Sequence, residues 1–217
     1  MIVKVCGITN AEDAAAAIAG GANAIGFNFY APSPRYIAPE RAAEIPTETG
    51  VRRVGVFVNE SRARVEEIAR IAGLDVAQLH GDETVDNYPA AVTVWKAARM
   101  SAGFSFASFT DSPAEALLLD GPAGVLYGGA GLSFDWSVGQ ASWPVFRRII
   151  LAGGLDASNV EKAVAIARPW GVDACSRIES SPGKKDHKKM LEFVRTARRA
   201  LESARRALEL ARKAPQP

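Results

Sequence analysis

Two residues in this chain stand where proton chemistry could be done. Cys6 ends the first apolar run, and Asp120 ends a later one directly after three leucines. An ionised thiol is a base or nucleophile. A carboxyl group at the mouth of an apolar strand suits general-acid work. Arg35 lies in Ala31-Pro32-Ser33-Pro34-Arg35-Tyr36, where prolines stiffen the loop and pre-position a guanidinium for a carboxylate. Gly153-Gly154 end another run, and Asp173 with Ser176 mark the last; such turns cradle phosphate through backbone N–H groups. Asn28, His80 and Lys96 complete the polar set. Each has an ordinary structural reading too. Cysteine packs as a small hydrophobe, aspartate caps loops, and a loop arginine is often simply solvated. His80 has no second histidine at ligand spacing, since the other one, His187, sits in a basic stretch, so no zinc site is expected.

These groups fall at the ends of eight apolar runs. The runs are Ile2–Cys6, Ala24–Phe29, Arg53–Val58, Asp75–Leu79, Val92–Ala97, Leu117–Leu119, Arg148–Leu151 and Gly171–Ala174. Amphipathic stretches separate them: Asn10 caps a helix over Ala11–Ala19, Pro39 opens one to Ile45, Ser61 caps one to Ala72, and another covers Asn159–Ala167. Buried strands alternating with helices predict a parallel α/β fold. The turn Cys6-Gly7-Ile8-Thr9-Asn10 lacks the G-x-G-x-x-G spacing of a doubly wound nucleotide-binding sheet. A single-domain (β/α)₈ TIM barrel is therefore expected, with its site on the rim formed by the strands' carboxyl ends.

The 217 residues hold 26 Lys/Arg against 24 Asp/Glu, a formal +2 that gives no reason to expect a nucleic-acid partner. No apolar run is long enough for a membrane helix. Two cysteines cannot build a disulfide scaffold, and the first residues do not read as a signal peptide, so a reduced, cytoplasmic setting is expected. The small net charge hides an asymmetry: residues 184–213 carry +7 and the remainder −5. Within that stretch Ala197-Arg198-Arg199-Ala200-Leu201-Glu202-Ser203 nearly repeats as Ala204-Arg205-Arg206-Ala207-Leu208-Glu209-Leu210. Two heptads are few for a coiled coil, so a lengthened last helix with a solvated basic face is expected. The division expected is a barrel over 1–196 and a helical extension over 197–217.

Val3-Lys4-Val5-Cys6-Gly7-Ile8-Thr9, Ser33-Pro34-Arg35-Tyr36-Ile37, Gln78-Leu79-His80-Gly81-Asp82-Glu83, Leu118-Leu119-Asp120, Leu151-Ala152-Gly153-Gly154-Leu155 and Pro182-Gly183-Lys184-Lys185-Asp186 occur in an order that resembles phosphoribosylanthranilate isomerases of tryptophan biosynthesis. The resemblance implies a barrel without cofactor or metal, acting on a small phosphorylated molecule as a monomer or homodimer. It implies an Amadori rearrangement of an aminoaldose to an aminoketose. Asp120 would be the general acid and Cys6 the general base. Arg35 would meet the anthranilate carboxylate. Gly153, Gly154, Ser176 and Arg177 would hold the phosphate, with His80 and Asp173 on the same rim. Three segments depart from the family pattern. Cys175-Ser176-Arg177-Ile178-Glu179 stands where Ser-Ser-Gly-Val-Glu is usual, Gly121 where Thr is usual, and Gly128-Gly129-Ala130-Gly131-Leu132 has lost a hydroxyl and a cation. Arg177 either adds a cation or crowds the amide nest. The alternatives are a phosphate-binding barrel with reduced or lost activity and the analogous histidine-pathway sugar isomerase, which typically has aspartate in place of Cys6.

Overall fold

The computed structural model describes residues 1–100, 104–121, 135–141, 146 and 148–213. Strands β1 (Ile2–Cys6), β2 (Ala24–Asn28), β3 (Arg52–Phe57), β4 (Val76–Leu79), β5 (Thr93–Arg99), β6 (Ala116–Asp120), β7 (Ile149–Leu151) and β8 (Gly171–Ala174) form a closed barrel in chain order. Every pairing is parallel, including β8 with β1. The strands lie within two residues of the expected positions. Helices α1 (Ala11–Gly20), α2 (Pro39–Ala43), α3 (Arg62–Ala72), α4 (Val138–Ala141), α5 (Val160–Ala167) and α6 (His187–Lys213) follow on the outside.

Strand periodicity sorts the residues into two cores. On β1, Val3 and Val5 face outward and join the large layer beneath the helices, with Leu117, Leu119, Phe193 and Val194. Ile2 faces inward with Val54, Val76, Trp95, Leu118 and Ile150, filling the end of the barrel away from the site. Successive inward positions climb toward the opposite rim, so Ile2, Lys4 and Cys6 rise through one column.

The caps are local chemistry. Asn10 Oδ1 accepts from the Asp13 amide at 2.8 Å to start α1, and Ser61 Oγ accepts from the Arg64 amide to start α3. Between β4 and β5 the expected helix is only a single 3₁₀ turn, Val85–Asn87, because the short Gly81–Val92 crossover meets Pro89, which cannot continue a helix. Between β5 and β6 another 3₁₀ turn, Phe106–Phe109, takes the helix's place. Phe104, Phe106 and Phe109 cover the core there, with Phe104 edge-on to Phe106 at 4.8 Å.

The last helix α6 runs unbroken across position 196/197, and Ala197, Ala200 and Leu201 are buried. Its basic face beyond Leu201 is mostly exposed, as the composition implied. Its start is tied to α1: buried Asp13 accepts from the Lys185 amide at 3.1 Å and pairs with His187 Nε2 at 2.8 Å. Among the described residues no helix is long and apolar enough to cross a membrane.

Candidate active site

Cys6, Arg35, His80, Asp120, Gly153, Gly154, Asp173, Ser176 and Arg177 all line one pocket at the carboxyl ends of the strands. The pocket opens to solvent at its mouth. Asn28, Gln78 and Cys175 line it as well. Lys96 lies elsewhere: it is buried beside this pocket in an ion pair with Glu83 at 2.8 Å and also donates to the Gly81 carbonyl. It stabilises the loop after β4 and takes no place in the site.

Asp120 ends β6 and is held at both oxygens. Oδ1 accepts from the Gly121 amide at 2.9 Å, and Oδ2 lies 3.1 Å from His80 Nε2. His80 Nδ1 in turn lies 3.2 Å from Gln78 Nε2. An amide N–H donating to Nδ1 fixes the imidazole proton on Nε2, which then faces the Asp120 carboxylate. Gln78 Oε1 is buried without a partner. Turning that amide would let Oε1 accept from an Nδ1–H and leave Nε2 to accept a proton from Asp120. The chain of three groups thus has two proton arrangements, one for each state of an acid at Asp120.

Cys6 sits opposite, at the end of β1, above a buried ion pair. Lys4 Nζ meets Asp173 Oδ2 at 2.8 Å, with the Lys4 side chain fully enclosed. Burial pushes Asp173 up to about 7 despite the lysine, and Asp173 holds Lys4 above its ordinary range despite burial. A hydrogen bond from Cys175, together with Lys4 and Lys185, holds the Cys6 thiol well below its usual range, against burial. Close approach of these groups depends on Gly26: a Cβ there would lie 2.8 Å from Cys6 Sγ and 3.1 Å from Lys4 Cε. Alkylation of the native chain by iodoacetamide is therefore expected to proceed at Cys6 with a pH midpoint clearly below the ~8.5 of a free thiol. Rates measured from pH 5 to 10, with the site located by peptide mapping, check this; a midpoint at or above the free-thiol value would contradict the charge arrangement.

Arg35 reaches the rim from the proline loop after β2. Its Nε and Nη2 grip Glu179 at 2.9 and 2.8 Å, and Lys185 Nζ meets the same carboxylate at 2.8 Å. Although burial works against it, Arg35 and Lys185 hold Glu179 below the usual carboxylate range. The short strands β9 (Glu179–Ser181) and β10 (Lys184–Lys185) form the hairpin that carries both partners.

Gly153 and Gly154 both have positive φ, +75° and +67°. A Cβ at Gly153 would lie 2.3 Å from the Gly121 nitrogen and 3.1 Å from Asp120 Oδ1. Gly153→Ala is thus expected to cost more than about 1 kcal/mol of stability through the left-handed backbone alone, and to disturb Asp120 through the backbone it strikes. A thermal melt alongside steady-state kinetics reads both; an unchanged Tm together with unchanged KM and kcat would refute it. Arg177 reaches from the turn after β8 to Asp156 Oδ2 at 3.1 Å and so spans the turns after β7 and β8.

A family model described as N-(5'-phosphoribosyl)anthranilate isomerase matches residues 3–196. The chain belongs to this family. It is 67% identical over 201 residues to the enzyme of that name from Solibacter usitatus, covering 93% of this chain and 99% of that one. It is also similar to the solved phosphoribosylanthranilate isomerase of Thermotoga maritima, with a TM-score of 0.83 at 38% identity over 91% of this chain and 99% of that one. A solved isomerase in complex with reduced 1-(o-carboxyphenylamino)-1-deoxyribulose 5-phosphate matches with a TM-score of 0.79 at 36% identity, with the same coverage.

The resemblance read from the sequence and the barrel built from its periodicity therefore agree with the comparisons. The nine expected residues share one pocket, while Lys4, Gln78, Cys175, Glu179 and Lys185 are neighbours to which sequence reading gave no role. Two carried a signal. Lys4 precedes Cys6 by two on β1, and Gln78 precedes His80 by two, so each shares the inward face of the residue it supports. The departure at Gly128–Leu132 lies outside the described residues.

Proposed function

We infer that this chain isomerises N-(5'-phosphoribosyl)anthranilate to 1-(2-carboxyphenylamino)-1-deoxyribulose 5-phosphate in tryptophan biosynthesis. The observation that carries the mechanism is the placement of an activated thiol and a hydrogen-bonded carboxyl group in one pocket beside a glycine turn. Asp120, in its protonated state, gives its proton to the ribose ring oxygen, and the C1–O bond opens to an iminium. Cys6 as thiolate removes the C2 proton, and the C–H electrons move to quench the iminium as an enolamine. The enolamine tautomerises to the ketone. Every step moves a proton within a redox-neutral rearrangement, so the chemistry calls for no cofactor.

His80 holds Asp120 and offers two proton arrangements to match its two states. Lys4, held by Asp173, stabilises the thiolate. Arg35 meets the anthranilate carboxylate while Glu179 fixes its Nε and Nη2 edge. The backbone amides of Gly153 and Gly154, with Ser176 and Arg177, take the phosphate. Residues 1–196 form the catalytic unit and the remainder an extension, whose helix reaches Lys213, with 214–217 outside the described residues. The chain works in the cytoplasm on this small phosphorylated substrate, as a monomer or homodimer.

An assay that forms the substrate in situ from anthranilate and follows loss of adduct fluorescence tests the reading. Addition of the chain is expected to accelerate the loss; no acceleration would leave a phosphate-binding barrel without activity. In the same assay Arg177→Gly is expected to change KM more than kcat, because Arg177 meets the phosphate, a group that does not react. A change confined to kcat would put Arg177 at the transition state instead.

A further inference from the structure

One neighbour of the site has no part in the proton transfers: the second thiol, Cys175. Lys4 is opposed by Asp173 and Val5 by Ala174 across the β1–β8 pairing. Cys6 and Cys175 are the next residues along the two chains after that last opposed pair. Neighbouring strands run about 4.8 Å apart, inside the ~4.4–6.8 Å Cα separation of disulfides. Cys6 shares the inward parity of Lys4, and Cys175, one residue past β8, lines the same pocket directly after Asp173, the partner of Lys4 in the barrel interior. Each thiol is the largest influence on the other's titration, lowering Cys6 and raising Cys175. A Cβ on Gly7 would lie 3.0 Å from Cys175 Sγ, which puts that sulfur against the turn directly after Cys6. Both cysteines are free, and both line the pocket, through whose mouth a small oxidant reaches them.

We propose that Cys6 and Cys175 are a modification site for hydroperoxides, closing to an intramolecular disulfide that reversibly switches the enzyme off. The Cys6 thiolate attacks one peroxide oxygen. The S–O bond forms, the O–O bond breaks, and the departing hydroxide takes a proton from solvent to leave as water. Cys175 then attacks the sulfenic sulfur. The S–S bond forms, the S–O bond breaks, and the released hydroxide takes the Cys175 proton. Two electrons pass from the thiols to hydrogen peroxide, which leaves as two waters. Lys185 Nζ, 3.3 Å from the Cys175 carbonyl and 4.0 Å from its sulfur, favours the second thiolate as it forms. Loss of activity on closure rests on Cys6 being the general base; closure itself does not.

The test uses the purified, fully reduced chain and hydrogen peroxide at a few equivalents. The sequence holds two cysteines, so thiol titration is unambiguous. Expected are loss of both thiols together, an intact mass lower by two hydrogens, a Cys6–Cys175 linked peptide, and loss of activity that dithiothreitol restores. In Cys175→Ser, peroxide is expected to add two oxygens to Cys6, with activity that dithiothreitol does not restore. Oxygen added to Cys6 while Cys175 stays free, a disulfide-linked dimer on a non-reducing gel, or two surviving thiols would each overturn the proposal. Full dithiothreitol recovery in Cys175→Ser would overturn it as well. The mass and thiol measurements on the unaltered chain need no variant. A linked peptide with activity retained would keep the disulfide site and remove Cys6 from the mechanism.

Discussion

Asp120→Asn is expected to lower kcat by about 10²–10⁴-fold, the usual contribution of a positioned general acid. The substitution is close to isosteric. Asparagine Oδ1 still accepts from the Gly121 amide, and its Nδ2 donates to His80 Nε2 once the Gln78 amide turns and the imidazole proton moves to Nδ1, so both positioning contacts remain. What disappears is the acidic proton, and the ribose ring must then open with its oxygen carrying developing charge. Because the carboxyl group acts on the ring oxygen and the phosphate is held by the glycine turn, KM is expected to move far less than kcat. A thermal melt run in parallel should show a Tm near that of the unaltered chain. Turnover within tenfold of the original would remove Asp120 from the acid role.

Cys6→Ser is expected to cost a comparable factor for a different physical reason. The site around position 6 is built to hold an anion: Lys4 beneath it, Lys185 to one side, and the Cys175 thiol as donor. Those charges suffice for a thiol, whose ordinary pKa is ~8.5. An alcohol holds its proton far more strongly, so the same surroundings leave serine protonated at neutral pH and unable to take the C2 proton. The sign also appears in the pH profile. A base whose pKa is lowered stays active down to the pH at which it gains its proton, so the acid limb of the kcat/KM profile of the unaltered chain is expected clearly below the ~8.5 of a free thiol. Wild-type turnover in Cys6→Ser, or a profile that falls already below the free-thiol range near pH 8.5, would contradict this assignment.

The barrel was legible because its strands are short, apolar and evenly punctuated, and because polar residues recur at their ends. Cys6, His80, Asp120 and Asp173 could be read from those ends alone. The partners of these residues were harder to read, since they are set by closure. Arg35 and Glu179 are 144 positions apart, and only the barrel brings the proline loop onto the β9–β10 hairpin. Lys4 is a single charge in an apolar run, and its meaning depends on β8 lying beside β1. The missing helices before and after β5 were illegible for a related reason. Pro89 cuts one crossover short, and the three phenylalanines after β5 cover the core without needing a helix to do so. The expected boundary at 196/197 follows the repeat in the sequence, whereas Ala197, Ala200 and Leu201 keep the helix packed past it.

The bond between Lys4 and Asp173 joins residues 169 positions apart, and the ties from Asp13 to Lys185 and His187 span 172 and 174. On a ribosome, Lys4 is therefore made long before anything exists to neutralise it. A nascent chain cannot bury that ammonium in a closed barrel until β8 has emerged, and α1 waits longer still for the first turn of α6. Contacts this distant in sequence slow folding, and the open intermediate exposes strand edges while it waits. The interactions that prepare Cys6 are thus among the last that synthesis allows, and a chain stopped before Gly171 would lack both a closed barrel and a working base.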